Sequence, residues 1–214
     1  MFEPHSVSLA GLERSAIVRF SLLAFSSIFF LVDPFAALPT FLAVTAGENA
    51  AERRRTALKA SLTALIFLAA FAVAGEYIFR LFGITLPAFE IAGGIILLLI
   101  GLDMLEAKRS PTQEAMGDAE EAAIKEDAGI VPLGIPMLAG PGAITSVMVL
   151  VGQAQTMWQM AAIMAAIVIT AAICYLVLGN SDRVATALGE TGIRVLVRIM
   201  GLLLVALAVQ YFVN

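Results

Sequence analysis

Polar positions are sparse along this chain, and where they fall divides it. Six stretches are apolar enough and long enough to cross hydrocarbon, which takes about 20 mostly apolar residues. They run roughly over 19–45, 57–80, 86–106, 130–152, 157–179 and 193–213. Lipid offers the backbone no water to bond with, so each stretch is expected to be helical. The one long polar interval, about 107–129, reads AKRSPTQEAMGDAEEAAIKEDAG and separates the third stretch from the fourth. Its acidic cluster (Asp118, Glu120, Glu121, Glu126, Asp127) reads as a solvated face. Asn49, with Glu52 three residues later, has the spacing of a capping box and predicts a firm helix start before the second span. The pattern predicts an all-α polytopic membrane bundle, a single integral membrane domain over 1–214 with six transmembrane helices.

Composition supports that reading. Of the 214 residues, 60% are hydrophobic and 14% charged, against about 45–50% and about 25% in soluble domains. Mean hydropathy is +0.94. The single cysteine, Cys174, lies in an apolar run, so neither a disulfide framework nor a cysteine metal cluster is expected. The lone histidine, His5, sits in the N-terminal segment, outside the spans. No metal site and no cofactor is called for, and no Walker-type loop is present to hydrolyse ATP. The first residues lack the layout of a cleavable signal, so the first apolar run is expected to stay as a signal-anchor span.

Charge adds an orientation. With six spans, one side carries Arg53, Arg54, Arg55, Lys59, Lys108, Arg109, Lys125, Arg183, Arg194 and Arg198, and the other only Arg14, Arg19 and Arg80. Basic residues in short loops stay in the cytoplasm. Both termini are therefore expected on the periplasmic side of a bacterial inner membrane. Expected partners are the bilayer and a small-molecule substrate, with no nucleic acid; a homo-oligomer is left open.

The halves also resemble each other. VDPFAALPTFLAV from Val32 aligns with AGPGAITSVMVLV from Ala139, and GIILLLIGLDML from Gly94 with GLLLVALAVQYF from Gly201, both at an offset of 107. Repeat one would cover about 19–106 and repeat two about 130–214. Three spans per repeat force opposite insertion, the inverted plan of many secondary transporters.

The prolines identify where such a repeat would work. Proline breaks a helix interior but suits the first position of a helix. Asp33 therefore reads as the N-cap of a half-helix starting at Pro34, and Gly140 as the matching position before Pro141. Helices one and four are expected to be broken, the fourth more severely, with Pro132, Pro136 and Pro141 close together. A helix N-terminus offers free amides and about half a positive charge. Asp33 fills one such end, and Gly140 leaves the other bare. The bare end suits a substrate carboxylate, while Asp33 suits an amine, a proton or a sodium ion. A carboxylate at bilayer depth costs about 2.5–3.5 kcal/mol, and capping returns only about 1 kcal/mol. So Asp33 is either a protonated capping group or an ionisable group kept for function. Candidate substrate-binding residues are Asp33, Pro34, Thr40, Gly140, Pro141, Gly142, Thr145 and Ser146; candidate coupling-ion residues are Asp33 and Glu90. The hydroxyls of Thr40, Thr145 and Ser146 have an alternative use, bonding within the bundle, and Glu90 an alternative place, at the interface.

VDPFAALPTF, ERRR, AGE at 74–76, GGIILLLIGLDML, IVPLGIPMLAGPGAI and RIMGLLLVALAVQYF, in this order, resemble the MarC family of inner-membrane proteins, also called UPF0056. The resemblance runs from about Phe20 to the end. It implies a six-span protein, distantly similar to LysE-type exporters, with some relatives associated with small neutral amino acids. The family commonly has Gly-Asn where this chain has Ala36-Ala37, which removes a polar side chain from the first break. The expected function is a secondary carrier or exporter of a small metabolite, with proton or sodium coupling. A channel or a non-transporting scaffold is the alternative. An intramembrane enzyme lacks the paired catalytic groups it would need.

Overall fold

The computed structural model describes residues 9–106 and 129–213, and every regular element among them is helical. In order these are α1 (Leu9–Val32), α2 (Leu38–Val44), α3 (Ala50–Phe82), α4 (Leu86–Glu106), α5 (Gly129–Leu138), α6 (Pro141–Gln153), α7 (Met157–Gly179) and α8 (Ser181–Val213). His5, Lys108, Arg109, Lys125 and the acidic cluster lie outside the described residues.

Among the described residues, four helical stretches are long and apolar enough to cross a membrane: Ala50–Gly75, Leu86–Glu106, Met157–Gly179 and Thr191–Val213. Ala16–Val32 and Pro141–Gln153 are apolar but shorter. They are the pieces left where proline interrupts the expected first and fourth spans. The first divides into α1 and α2, and the fourth into α5 and α6.

Local chemistry sets the helix ends. α3 starts at Ala50, seven residues before the predicted span, because its cap forms completely. Asn49 Oδ1 accepts from the amides of Ala51 at 2.9 Å and Glu52 at 3.1 Å, and Glu52 Oε2 accepts from the Asn49 amide at 3.0 Å. The helix stops at Gly83, whose φ of 64° is left-handed. Gly189, at φ 65° and ψ 171°, kinks α8, and its membrane-length part follows from Thr191.

Small residues set the packing. Apolar helices in lipid gain nothing from hydrophobicity alone and associate where backbones approach closely. A Cβ on Gly94 would stand 3.1 Å from the Ala208 carbonyl, and one on Gly101 2.8 Å from the Gly201 carbonyl. The contacts run in opposite chain order, so α4 and α8 are antiparallel. α7 packs on α1 and α3, and α3 also on α5 and α6. A main apolar interior draws Ile28 and Val32 from α1, Ala57 and Ala64 from α3, Val147 from α6 and Ile167 from α7. Val73, Leu99, Leu176 and Leu202 point outward, as lipid-facing side chains should.

Candidate functional site

The first break begins where α1 runs out of donors. The Asp33 amide still reaches the Phe29 carbonyl at 3.0 Å, but Pro34 has no amide to continue the ladder. Asp33 takes a φ of 41°, a left-handed conformation that aspartate tolerates better than most residues. Its Oδ1 accepts from the Ala36 amide at 3.1 Å, as an N-cap would. The half-helix expected to start at Pro34 does not form, however. Residues 34–37 make turns, and α2 begins at Leu38 with Ala37 in the flanking position and no side-chain cap. Pro39 is the reason. It cannot donate to the Phe35 carbonyl, and its ring would collide with it, so a helix from Pro34 could not pass. Proline is accepted in a first turn, which is where α2 places it. Asp33 is 7% exposed, and its Oδ2 has no hydrogen-bond partner.

The second break follows another proline rule. Val131 (φ −125°, ψ 127°) and Ile135 (φ −133°, ψ 127°) are extended inside α5. Each precedes a proline, whose ring excludes the helical conformation from the residue before it. The Ala139 amide closes a wide turn to the Gly134 carbonyl at 3.0 Å. Gly140, at φ −74° and ψ 172°, then opens α6 with Pro141 in its first turn and no side-chain cap. Gly142 and Ala143 are buried there. Their amides fall among the donors that a helix leaves unpaired at its positive end.

The two breaks adjoin. A Cβ on Gly142 would lie 2.8 Å from Leu97 Cδ2 of α4 and 3.5 Å from Leu31 Cδ2 of α1. Leu31 is two residues before Asp33. Pro34 is buried in the first turn, Thr40 is half-buried on α2, and Pro141 is exposed. Thr145 spends its hydroxyl on its own helix, donating to the Pro141 carbonyl at 2.8 Å. Its methyl presses on α4 so closely that a Cβ on Gly93 would come within 1.9 Å of it. Ser146 is fully buried with its Oγ unpaired. Glu90 stands apart. It is 7% exposed and accepts from Gln153 Nε2 at 2.9 Å. Seven residues of α4 separate it from Leu97, about 10 Å along the axis, so it does not share the site at the breaks.

The description "MarC family integral membrane protein" matches residues 18–214. The chain belongs to the MarC family. It is 42% identical to the UPF0056 membrane protein MJ1677 of Methanocaldococcus jannaschii over 197 residues, 92% of this chain and 96% of that one. It is 39% identical to the UPF0056 membrane protein YvbG of Bacillus subtilis, covering 86% of this chain and 88% of that one. Against the UPF0056 membrane protein YhcE of Escherichia coli the identity is 35%, over 89% and 88%. No solved structure matches the chain. This MarC-family chain is thus an integral membrane protein, and neither the family description nor these relatives' names indicate an enzyme activity.

Sequence reasoning about this MarC protein missed several polar residues. Gln153 holds Glu90, and Tyr211 of α8 is buried in a second apolar cluster with Leu97 and Val149. Ser61 of α3 and Thr170 of α7 are buried with unpaired hydroxyls, and Cys174, one turn beyond Thr170, is buried as well. Each is one polar residue in an apolar run, and only the packing of several helices gives it a neighbour. A groove lined by Ala16, Ile17, Phe20, Ser21, Thr156, Trp158, Gln159 and Ala162 opens between the starts of α1 and α7. Phe20 is thirteen residues from Asp33, about 20 Å along a helix, so the groove is not part of the site at the breaks.

Proposed function

We propose that this MarC-family chain is a secondary carrier for a small metabolite, with small neutral amino acids as the substrate class. It works in the inner membrane with both termini on the periplasmic side. Six spans form one domain as two inverted repeats, about 19–106 and 130–214, around the loop at about 107–129.

One observation carries the reading: the uncapped N-terminus of α6 lies against the end of α1, where Asp33 is buried with one oxygen unpaired. A positive helix end favours a carboxylate, and a buried carboxylate favours a cation or an ammonium group. A zwitterion satisfies both. Two broken helices meeting within the bundle form the arrangement in which secondary carriers bind their substrates. The crossing of α4 and α8 supports the inverted repeat. An offset of 107 carries Gly94 onto Gly201 and Gly101 onto Ala208, so the contacts Gly94–Ala208 and Gly101–Gly201 exchange with each other. In this reading Asp33, Pro34, Gly140, Pro141 and Gly142 form the binding site, and Thr40, Thr145 and Ser146 border it. Asp33 carries the coupling charge, with Glu90 as a separate outer group.

Flux tests the proposal. Protein in liposomes should move labelled glycine or alanine saturably, show counter-transport, and respond to a proton or sodium gradient. Asp33→Asn should lose that response. Flux that neither saturates nor counter-exchanges would make the protein a channel, and folded protein with no flux across the amino acids would reject the carrier.

A further inference from the structure

Besides Ser146 Oγ on α6, three buried polar atoms at the end of α1, on α3 and on α7 have no partner: Asp33 Oδ2, Ser61 Oγ and Thr170 Oγ1. Their residues are 7%, 3% and 1% exposed. Buried polar atoms nearly always have partners, so several orphans together call for a ligand.

Helix register puts them at similar depth. α1 and α7 run parallel, because the groove between them pairs Ala16–Phe20 with Trp158–Ala162. Thirteen residues lead from Phe20 to Asp33 and twelve from Ala162 to Cys174, about 20 and 18 Å of rise. Cys174 therefore lies level with Asp33, and Thr170 one turn above. α3 runs parallel to the second broken span, since Lys59 and Thr63 pack on Gly129 and Gly134 while Gly75 faces Met148. The short connection Ala154–Thr156 turns the chain back, so α3 opposes α7. Gly179 packs on Ala57, and about one turn from this contact Ser61 comes level with Cys174.

The end of α1 adds backbone oxygens. Carbonyls in a last turn lose the donors four residues on. For Phe30 that residue is Pro34, which has none. For Leu31 and Val32 these are Phe35, which lies in the turn past the helix end, and Ala36, whose amide goes to Asp33 Oδ1 instead. The negative end of a helix, its unpaired carbonyls and a carboxylate thus stand together with two hydroxyls at about their depth.

We infer that this cluster is a sodium-binding site, formed by Asp33, the carbonyls of Phe30–Val32 and the hydroxyls of Thr170 and Ser61. Oxygen ligands of mixed type suit a hard cation, and the unwound end of a broken helix supplies them in other carriers. A proton alone would neutralise Asp33 and leave the carbonyls and hydroxyls unpaired. A water alone would bond them and leave the charge buried. An anion would meet only oxygen atoms. The site deepens the carrier reading, because it names sodium as the coupling ion at Asp33.

The test reads binding and transport separately. Radiolabelled sodium binding and the thermal midpoint of purified protein are measured in sodium, potassium and choline chloride. Saturable sodium binding with a rise in midpoint, absent in choline, is expected. Asp33→Asn should abolish both, and Thr170→Val should weaken sodium affinity at least tenfold, with Thr170→Ser restoring it. Thr170→Val also keeps the test open should Asp33→Asn not fold. Equal midpoints in the three salts, or sodium binding unchanged in both variants, overturns the site. Flux separates this from the carrier reading. Amino acid uptake driven by a proton gradient in sodium-free buffer, with no sodium response, leaves the carrier and removes the sodium site. Sodium binding without amino acid flux does the reverse.

Discussion

The two breaks occupy matching places in the halves of the chain, yet they carry opposite charge. At 33–37 the chain leaves a helix C-terminus, and Asp33 adds a carboxylate to an end that is already negative. At 140–143 it enters a helix N-terminus, and Gly140 adds nothing to an end that is already positive. The same interruption therefore gives a cation-seeking end and an anion-seeking end, joined by the contact of Leu31 with Gly142. One substitution should remove the difference. Gly140→Asp would cap α6 with a carboxylate and occupy the amides that the proposed carrier would offer its substrate. Hydrogen bonds to a charged group are worth about 1.5–3 kcal/mol each. Losing them and facing a like charge should lower carrier kcat/KM on the order of 100-fold or more, while α6 gains a cap. Retained flux at unchanged KM in liposomes would break the comparison.

The other side of the comparison separates charge from capping. Asparagine caps as well as aspartate and tolerates a left-handed φ. Asp33→Asn should therefore keep the turn at Ala36, and in choline chloride, without sodium, its thermal midpoint should be no lower than that of the parent, because a carboxylate that costs about 2.5–3.5 kcal/mol at depth is gone. Flux should fall roughly 10- to 100-fold, about 1.4–2.7 kcal/mol, with loss of the response to the coupling gradient. Asp33→Ala loses the cap as well and should be less stable than Asp33→Asn by about 1 kcal/mol. Equal stability of the two would mean that Asp33 does not hold the turn.

How much of this contrast was legible depends on how far each feature reaches along the chain. Features set by neighbours in sequence were readable: the Asn49–Glu52 cap, the lack of a side-chain cap at Gly140, and the division of the first and fourth spans at their prolines. The start of α2 was readable in principle, because Pro39 is five residues after Pro34 and a helix begun at Pro34 could not pass it. The Gln153 partner of Glu90 and the burial of Ser61 and Thr170 with unpaired hydroxyls were not readable. These residues are separated by many turns or by whole helices, and a lone hydroxyl in an apolar run does not indicate what it will face. Ala36 and Ala37 bring no polar side chain to the first break, which leaves Asp33 and the backbone as its polar groups.

The breaks also differ in support, and packing tests that difference. α6 is held by contact with α4, where Thr145 fits against Gly93 and Leu86 against Gly152. A methyl on Gly93 would meet Thr145 Cγ2 at 1.9 Å and Cβ at 3.1 Å. Overpacking of this kind costs about 1–3 kcal/mol. Gly93→Ala should lower the midpoint of thermal unfolding accordingly, and Thr145→Ser, which removes the offending methyl, should recover most of the loss when combined with it. Without recovery in the double variant, α4 and α6 do not meet as described.

α2 is held differently, and more weakly. It has seven residues, and at its far end Thr45 bonds the Phe41 carbonyl at 2.7 Å while Arg53 Nη2 reaches the Thr45 carbonyl at 3.4 Å. Arg53 also pairs with Asp182 at the start of α8, where the aspartate is 71% exposed. An exposed pair of this sort contributes about 0–1 kcal/mol, so Arg53→Gln should move the thermal midpoint little, by less than Gly93→Ala. Its effect should be local instead. Without the guanidinium, the Thr45 carbonyl just past α2 loses one of its two donors and the short helix loses its link to α8, so hydrogen exchange should quicken across 41–45 and stay unchanged in α6. Equal acceleration in α6 would mean that the two half-helices share one support, and the contrast between a packed and a tethered half-helix would fail.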